Sequence, residues 1–91
     1  NGMALHPNRE YLYVIASLNP PRVERVKINE DGTAGEVEKV VELPDTVPDG
    51  LAWDTAGNLY ISCYIPSKIY KLDSKGNLEL LVEDPEHTML A

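Results

Sequence analysis

Residues 48–60 read Pro-Asp-Gly-Leu-Ala-Trp-Asp-Thr-Ala-Gly-Asn-Leu-Tyr: a carboxylate, a glycine, a short apolar run, a tight turn and a second strand. A similar pattern opens the chain, because Asn1-Gly2-Met3-Ala4-Leu5-His6 matches residues 49–54 position by position. The second copy therefore starts 48 residues after the first, at residue 49 against residue 1. Self-similarity at a period in the forties indicates a repeat architecture such as a propeller.

The match continues through both halves of the chain. Residues 11–13 correspond to 58–60, residues 26–28 to 70–72, and Asp31-Gly32 to Lys75-Gly76. Short apolar or alternating runs between Gly, Pro and Asn predict eight strands and no helix. They span residues 2–5, 11–17, 22–29 and 36–43 in the first unit, and 50–53, 59–65, 67–72 and 78–82 in the second.

Two groups of four short strands fit two propeller blades. A β-sandwich would also suit eight short strands, but it would not require two copies of one motif in register. We therefore predict an all-β chain of two four-stranded antiparallel β-propeller blades, one over residues 1–47 and one over residues 48–91. The strand of residues 2–5 is expected to be an inner strand buried on both faces.

The composition excludes some classes of function. With 15 acidic and 8 basic residues the net charge is −7, which opposes binding to nucleic acid. No apolar run approaches the roughly 20 residues that span a membrane. We expect a soluble chain, with the cytoplasm slightly favoured as its location. Because the sequence starts without Met, we also expect it to be an excised piece of a longer protein.

Asn1 and Asp49 are the candidate metal ligands. At a propeller centre the innermost strands converge on a channel, and these two residues occupy the same position in their units. Amide and carboxylate oxygens are hard donors, which suit Ca²⁺ first and also Mg²⁺, Mn²⁺ or Zn²⁺. Asn-Gly and Asp-Gly are equally ordinary turn dipeptides. The pattern alone therefore leaves a cation site and two plain turns both open.

The chain resembles the family of gluconolactonase, regucalcin (senescence marker protein) and bacterial lactonases. The motifs that carry the resemblance are residues 48–54 and 57–60, the opening Asn-Gly, Tyr-Leu-Tyr-Val at 11–14, Lys-Ile-Tyr-Lys-Leu at 68–72, and Val-Glu-Asp-Pro at 82–85. The order and spacing of these motifs are more specific than any one of them. The resemblance covers essentially the whole chain.

This resemblance implies a six-bladed propeller that hydrolyses small lactones and related esters at a divalent cation. It implies that Asn1 and Asp49 bind the cation and that Asp49 is also the general base. The family's metal-binding Glu and its substrate contacts lie on further blades. We therefore expect two blades by themselves to be inactive or weakly active.

The other residues with reactive side chains are given structural roles. We expect His6 and His87 to be surface or hydrogen-bonding residues, and Ser17 and Ser62 lack the context of a serine hydrolase. Cys63 alternates with apolar neighbours and is expected to be a small buried group rather than a nucleophile. We expect the five tyrosines to serve in packing between blades.

Two alternatives remain. Blades of NHL-repeat scaffolds use similar Gly-Leu-Ala and Gly-Asn-Leu-Tyr motifs without catalysis, and a strictosidine-synthase-like propeller would work without this metal site. Isolated blades leave apolar faces and strand edges bare, so we expect self-association. Three copies of two blades would close a ring of six.

Overall fold

β-branched and aromatic residues between clusters of turn residues make this chain a series of strands. A computed structural model describes residues 2–16, 20–64 and 67–84, and within these ranges it contains strands but no helix, so no helix there could span a membrane. The strands are β1 (Met3–Leu5), β2 (Tyr11–Ala16), β3 (Arg22–Ile28), β4 (Ala34–Glu42), β5 (Val47–Trp53), β6 (Leu59–Tyr64), β7 (Ser67–Leu72) and β8 (Leu78–Asp84).

The strands form two four-stranded sheets in simple sequential order. One sheet runs β1-β2-β3-β4 and the other β5-β6-β7-β8, and each strand pairs antiparallel with the next. Hairpin connections suffice for this order, because antiparallel neighbours need only short turns. The predicted all-β fold with two meanders of propeller-blade type is confirmed.

Two strand starts differ from the sequence-based bounds by more than one residue. β4 starts at Ala34 rather than residue 36, and β5 starts at Val47 rather than residue 50. Pro48 in β5 still pairs with Cys63, and a register shift follows between Pro48 and Gly50. Proline is tolerated on an edge strand or at a bulge, so β5 can begin before Pro48.

The core lies between the two sheets, where one face of each meets the other. β5 contacts both β1 and β2, and the ring of Trp53 meets that of Tyr13 edge to face with centroids 4.9 Å apart. The buried side chains of this cluster come from both sheets and their connection: Tyr13, Val23, Leu43, Leu59, Ile61, Cys63 and Leu72. Burial of these apolar side chains holds the two sheets together.

The prediction that β1 is buried on both faces is wrong. Met3 is 64% exposed and Leu5 is 42% exposed, although the corresponding Leu51 and Trp53 of β5 pack against the core. In each unit these side chains of the first strand face the side on which a preceding sheet would lie. β5 has the first sheet on that side, whereas no described strand covers that face of β1.

Replacement of Leu59 by Ala tests the core. Leu59 is 0% exposed, so we expect Leu59→Ala to lower the free energy of unfolding by about 2–5 kcal/mol, measured by urea denaturation. Leu81→Ala in β8 is the control, because Leu81 is 43% exposed and its truncation should cost less than about 1 kcal/mol. Equal losses in the two variants would contradict this packing.

Candidate functional site

Asp49 lies on a β-bulge inside β5 rather than before the strand. Pro48 pairs with Cys63 and Gly50 with Ser62, so Asp49 is the extra residue that has no partner on β6. A bulge bends its strand and redirects a side chain, which explains how a residue within a strand keeps an exposed carboxylate. Within the described part of the chain, that carboxylate makes no hydrogen bond or ion pair.

The start of β1 lies directly against this bulge. A Cβ atom placed on Gly2 would lie 2.7 Å from the carbonyl oxygen of Asp49 and 3.1 Å from Cα of Gly50. Only glycine allows this approach of two backbones. The Gly2 carbonyl also accepts a hydrogen bond of 3.0 Å from the N–H of Ile15, which fixes the chain beside Asp49.

The two candidate ligands differ in what the structure says of them. Asp49 is described, whereas Asn1 lies outside the described residues, so the structure tests only one of the two. The described ranges contain no group of three or more His, Cys, Asp or Glu side chains that could hold a metal ion. A complete cation site would therefore need Asn1, water or residues beyond those described, in addition to Asp49.

The two residues opposite the bulge have structural roles. The Ser62 hydroxyl lies 3.5 Å from the carbonyl oxygen of Gly50, and a Cβ atom on Gly50 would lie 2.7 Å from that hydroxyl. Cys63 is buried in the core, and burial raises the pKa of its thiol. A buried thiol with a raised pKa is a poor nucleophile, which confirms its interpretation as a small buried group.

His6 lies at the other end of the inner strands. Its Nδ1 accepts a 3.0 Å hydrogen bond from the N–H of Asn8, and its ring meets Trp53 edge to face at 4.4 Å. These contacts confirm that His6 is a hydrogen-bonding residue. The positions of His87 and Ser17 lie outside the described residues.

One polar cluster was missed by the sequence reasoning. The Asp54 carboxylate accepts hydrogen bonds from the side chain and N–H of Asn58, the N–H of Ala56 and the hydroxyl of Tyr60, all at 2.9 Å. These donors, led by Asn58, lower the pKa of Asp54 to about 2. The signal was present as Asp-x-x-Gly-Asn, which recurs at residues 73–77. Both copies are also ordinary turn sequences, so the pattern alone does not reveal the cluster.

The tyrosines do not share one role. Tyr13 is buried between the sheets, and Tyr70 and Tyr11 pack against the same core, as expected for packing residues. Tyr60 instead donates to Asp54, and Tyr64 is exposed. Packing between the sheets therefore explains only part of this set.

Two tandem four-stranded meanders, with their innermost strands side by side, define a protein of the β-propeller class. The chain matches the family described as the SMP-30/gluconolactonase/LRE-like region over residues 1–91, and it belongs to that family. A search of curated proteins finds no match to the chain.

The Asp54 cluster predicts a change of stability in acid. Because the pKa of Asp54 is about 2 in the folded chain and 3.8 ordinarily, its ionised form stabilises the fold above pH about 4, and this contribution is lost as the pH falls towards about 2. We therefore expect the stability difference between wild type and Asp54→Ala to shrink over that window in urea titrations.

Tyr60→Phe provides the control, since it removes one of the four donors. The pKa of Asp54, followed by carboxyl NMR, should rise but stay below 3.8, because both Asn58 donors remain. An ordinary pKa for Asp54 in the wild type would contradict this assignment.

Proposed function

We propose that these residues form part of a divalent-metal-dependent lactone or ester hydrolase of the gluconolactonase type. The observation that carries the proposal is the exposed carboxylate of Asp49, which lies on a bulge beside Gly2 and has no partner among the described residues. Membership of the SMP-30/gluconolactonase/LRE-like family supports it. The two blades alone are expected to be inactive or weakly active, because further ligands and substrate contacts are needed.

In this proposal Asn1 and Asp49 bind the cation. Ca²⁺ is the first expectation because both donors are oxygens, with Zn²⁺, Mg²⁺ or Mn²⁺ as alternatives. Such a cation, when bound, polarises a carbonyl and lowers the pKa of water. The donor chemistry fits this group, although the described residues supply one carboxylate rather than a full set.

Asp49 also serves as the general base. A general base needs an ionised group within reach of the proton that it takes, with lone pairs not engaged elsewhere. The Asp49 carboxylate meets the second condition within the described part of the chain. Asp49 is exposed on the bulge, where a small lactone could approach it.

A propeller scaffold without catalysis is the competing function. A scaffold needs no group of three His, Cys, Asp or Glu side chains, and the described residues contain none. A scaffold of the NHL-repeat kind, or a strictosidine-synthase-like propeller, would be indifferent to chelators, whereas the lactonase-type site depends on the cation. Cation binding therefore separates the two functions.

Replacement of Asp49 tests the metal site. We expect the wild-type chain to bind Ca²⁺ or Zn²⁺ in calorimetry, and Asp49→Asn to weaken binding by at least about tenfold, because the variant loses the only charged ligand of the pair. Hydrolysis of a small lactone, if measurable, should fall in the variant and in the presence of EDTA.

Asp45→Asn is the matched control. Asp45 is exposed in the connection that leads into β5 and has a φ of 62°, a conformation that Asn also tolerates, so this variant removes the same charge without disturbing the backbone. If Asp45→Asn weakened cation binding equally, the loss in Asp49→Asn would come from net charge and not from a lost ligand. A folded wild type that binds neither ion would favour the scaffold function.

We also propose that the chain associates with copies of itself through its outward faces. Met3 and Leu5 of β1 leave exposed the positions that Leu51 and Trp53 fill in the contact between the two sheets. The outward face of the second sheet includes Tyr60. It corresponds to the face of the first sheet that includes Tyr13 and packs against β5. One copy could therefore continue the internal packing of the next, and three copies would close a six-bladed ring.

Light scattering tests this association. At micromolar concentration we expect a mass three times the 10.1 kDa of the chain, and Leu5→Lys should reduce it to a monomer because a charge would be buried in the contact. Thr55→Lys in an exposed turn is the control and should leave the mass unchanged. A monomeric wild type would contradict the ring.

A further inference from the structure

Gly2 lies where the start of β1 meets the bulge of β5, and there is no room for a side chain at this position. A Cβ atom there would lie 2.7 Å from the carbonyl oxygen of Asp49 and 3.1 Å from both Cα of Gly50 and Cδ1 of Ile15. Real Cβ atoms do not come within 3.0 Å of another heavy atom. One of the neighbours would therefore have to move.

None of these neighbours moves easily. The atoms of Asp49 and Gly50 belong to the backbone of β5, and the Ile15 side chain is buried. The Gly2 carbonyl is also held in place, because it accepts a hydrogen bond of 3.0 Å from the N–H of Ile15. A methyl group at residue 2 would therefore push the start of β1 and the bulge of β5 apart.

The bulge makes Asp49 sensitive to this displacement. The residues on either side of it pair with β6, whereas Asp49 itself has no ladder partner there. The contact from Gly2 falls on the carbonyl oxygen of Asp49. The position of Asp49 on the bulge therefore depends on the start of β1 as well as on β6.

The corresponding glycine of the second unit does not have this role. A Cβ atom on Gly50 would lie 2.7 Å from the Ser62 hydroxyl, which is the end of a side chain in the same sheet. Such a side chain can turn away by changing its rotamer. At Gly2 the obstacle is the backbone of the other sheet, so the need for glycine there comes from the contact between the two blades.

We propose that Gly2 is a positioning residue for the cation site. It sets the distance between the start of β1 and the Asp49 bulge, and thereby holds the Asp49 carboxylate where a cation can bind. Ligands must be held within about 0.5 Å of the geometry that a site requires, so a methyl group that displaces the bulge removes that geometry. This inference rests on the proposed function, because without a cation site there is nothing to position.

Gly2→Ala tests this role with Ca²⁺ as the probe. In ¹⁵N-resolved NMR we expect the amide signals of Asp49 and Gly50 to shift, because the bulge is displaced. In calorimetry we expect the affinity for Ca²⁺ to fall by at least about tenfold, because the carboxylate no longer lies where the cation binds.

Gly35→Ala is the matched control, since Gly35 is another crowded glycine within a strand. A Cβ atom there would lie 3.1 Å from side-chain atoms of Asn29 and Lys27, and its strand β4 is at the opposite edge of the sheet from β1. We expect this variant to keep the affinity for Ca²⁺ within about twofold of wild type and to leave the Asp49 amide signal in place.

Ile15→Val separates positioning from stability. It removes the Cδ1 atom that a methyl group at residue 2 would touch, so the double variant Gly2→Ala with Ile15→Val should regain part of the lost affinity for Ca²⁺. Ile15→Val also shortens a buried side chain, which lowers stability. A loss of affinity that came only from a less stable fold would therefore grow in the double variant. Ile15→Val alone should bind Ca²⁺ like wild type.

Three results would overturn the positioning role while the wild type binds Ca²⁺: unchanged Asp49 and Gly50 signals in Gly2→Ala, an equal loss of affinity in Gly35→Ala, or a further loss in the double variant. A folded wild type that binds no Ca²⁺ would instead overturn the proposed metal site, and this inference with it.

Discussion

The packing of β5 against β1 and β2 is the contact on which the rest of the structure depends. Neither sheet can bury its apolar face alone, and a single four-stranded meander has no core of its own. The Tyr13–Trp53 contact and the buried aliphatic side chains around it supply that core. The same packing brings the starts of the inner strands together at Gly2 and Asp49 and creates a cleft at their far ends.

The two ends of this interface differ in how their polar groups are partnered. At one end a bulge leaves the Asp49 carboxylate exposed and without a partner among the described residues, which suits a cation. At the other end the Arg25 guanidinium is paired with Glu38, and the indole N–H of Trp53 is buried without a partner in the described part of the chain. The strand β5, seven residues long, connects the two ends.

The repeat also explains why equivalent residues have different surroundings. His6 stands where the second unit has Asp54, and both accept a hydrogen bond from the N–H two residues later. The aspartate, however, gathers four donors and a pKa of about 2, whereas the histidine ring instead packs against Trp53. Met3 and Leu5 likewise lie exposed where Leu51 and Trp53 are packed. Residues at corresponding positions of the two units therefore differ in their contacts and in their exposure to solvent.

The sequence by itself determined the eight strands, their grouping and the repeat, because turn residues and alternating apolar positions act locally. It also singled out Asp49, since Asp-Gly recurs in register with Asn-Gly. Only the tertiary structure decided that Asp49 lies on a bulge within β5, that β1 is exposed on one face, and that the N–H of Trp53 is buried without a partner among the described residues. Those features depend on which sheet lies beside each strand, and contacts between residues far apart in sequence leave no periodic signal in the chain.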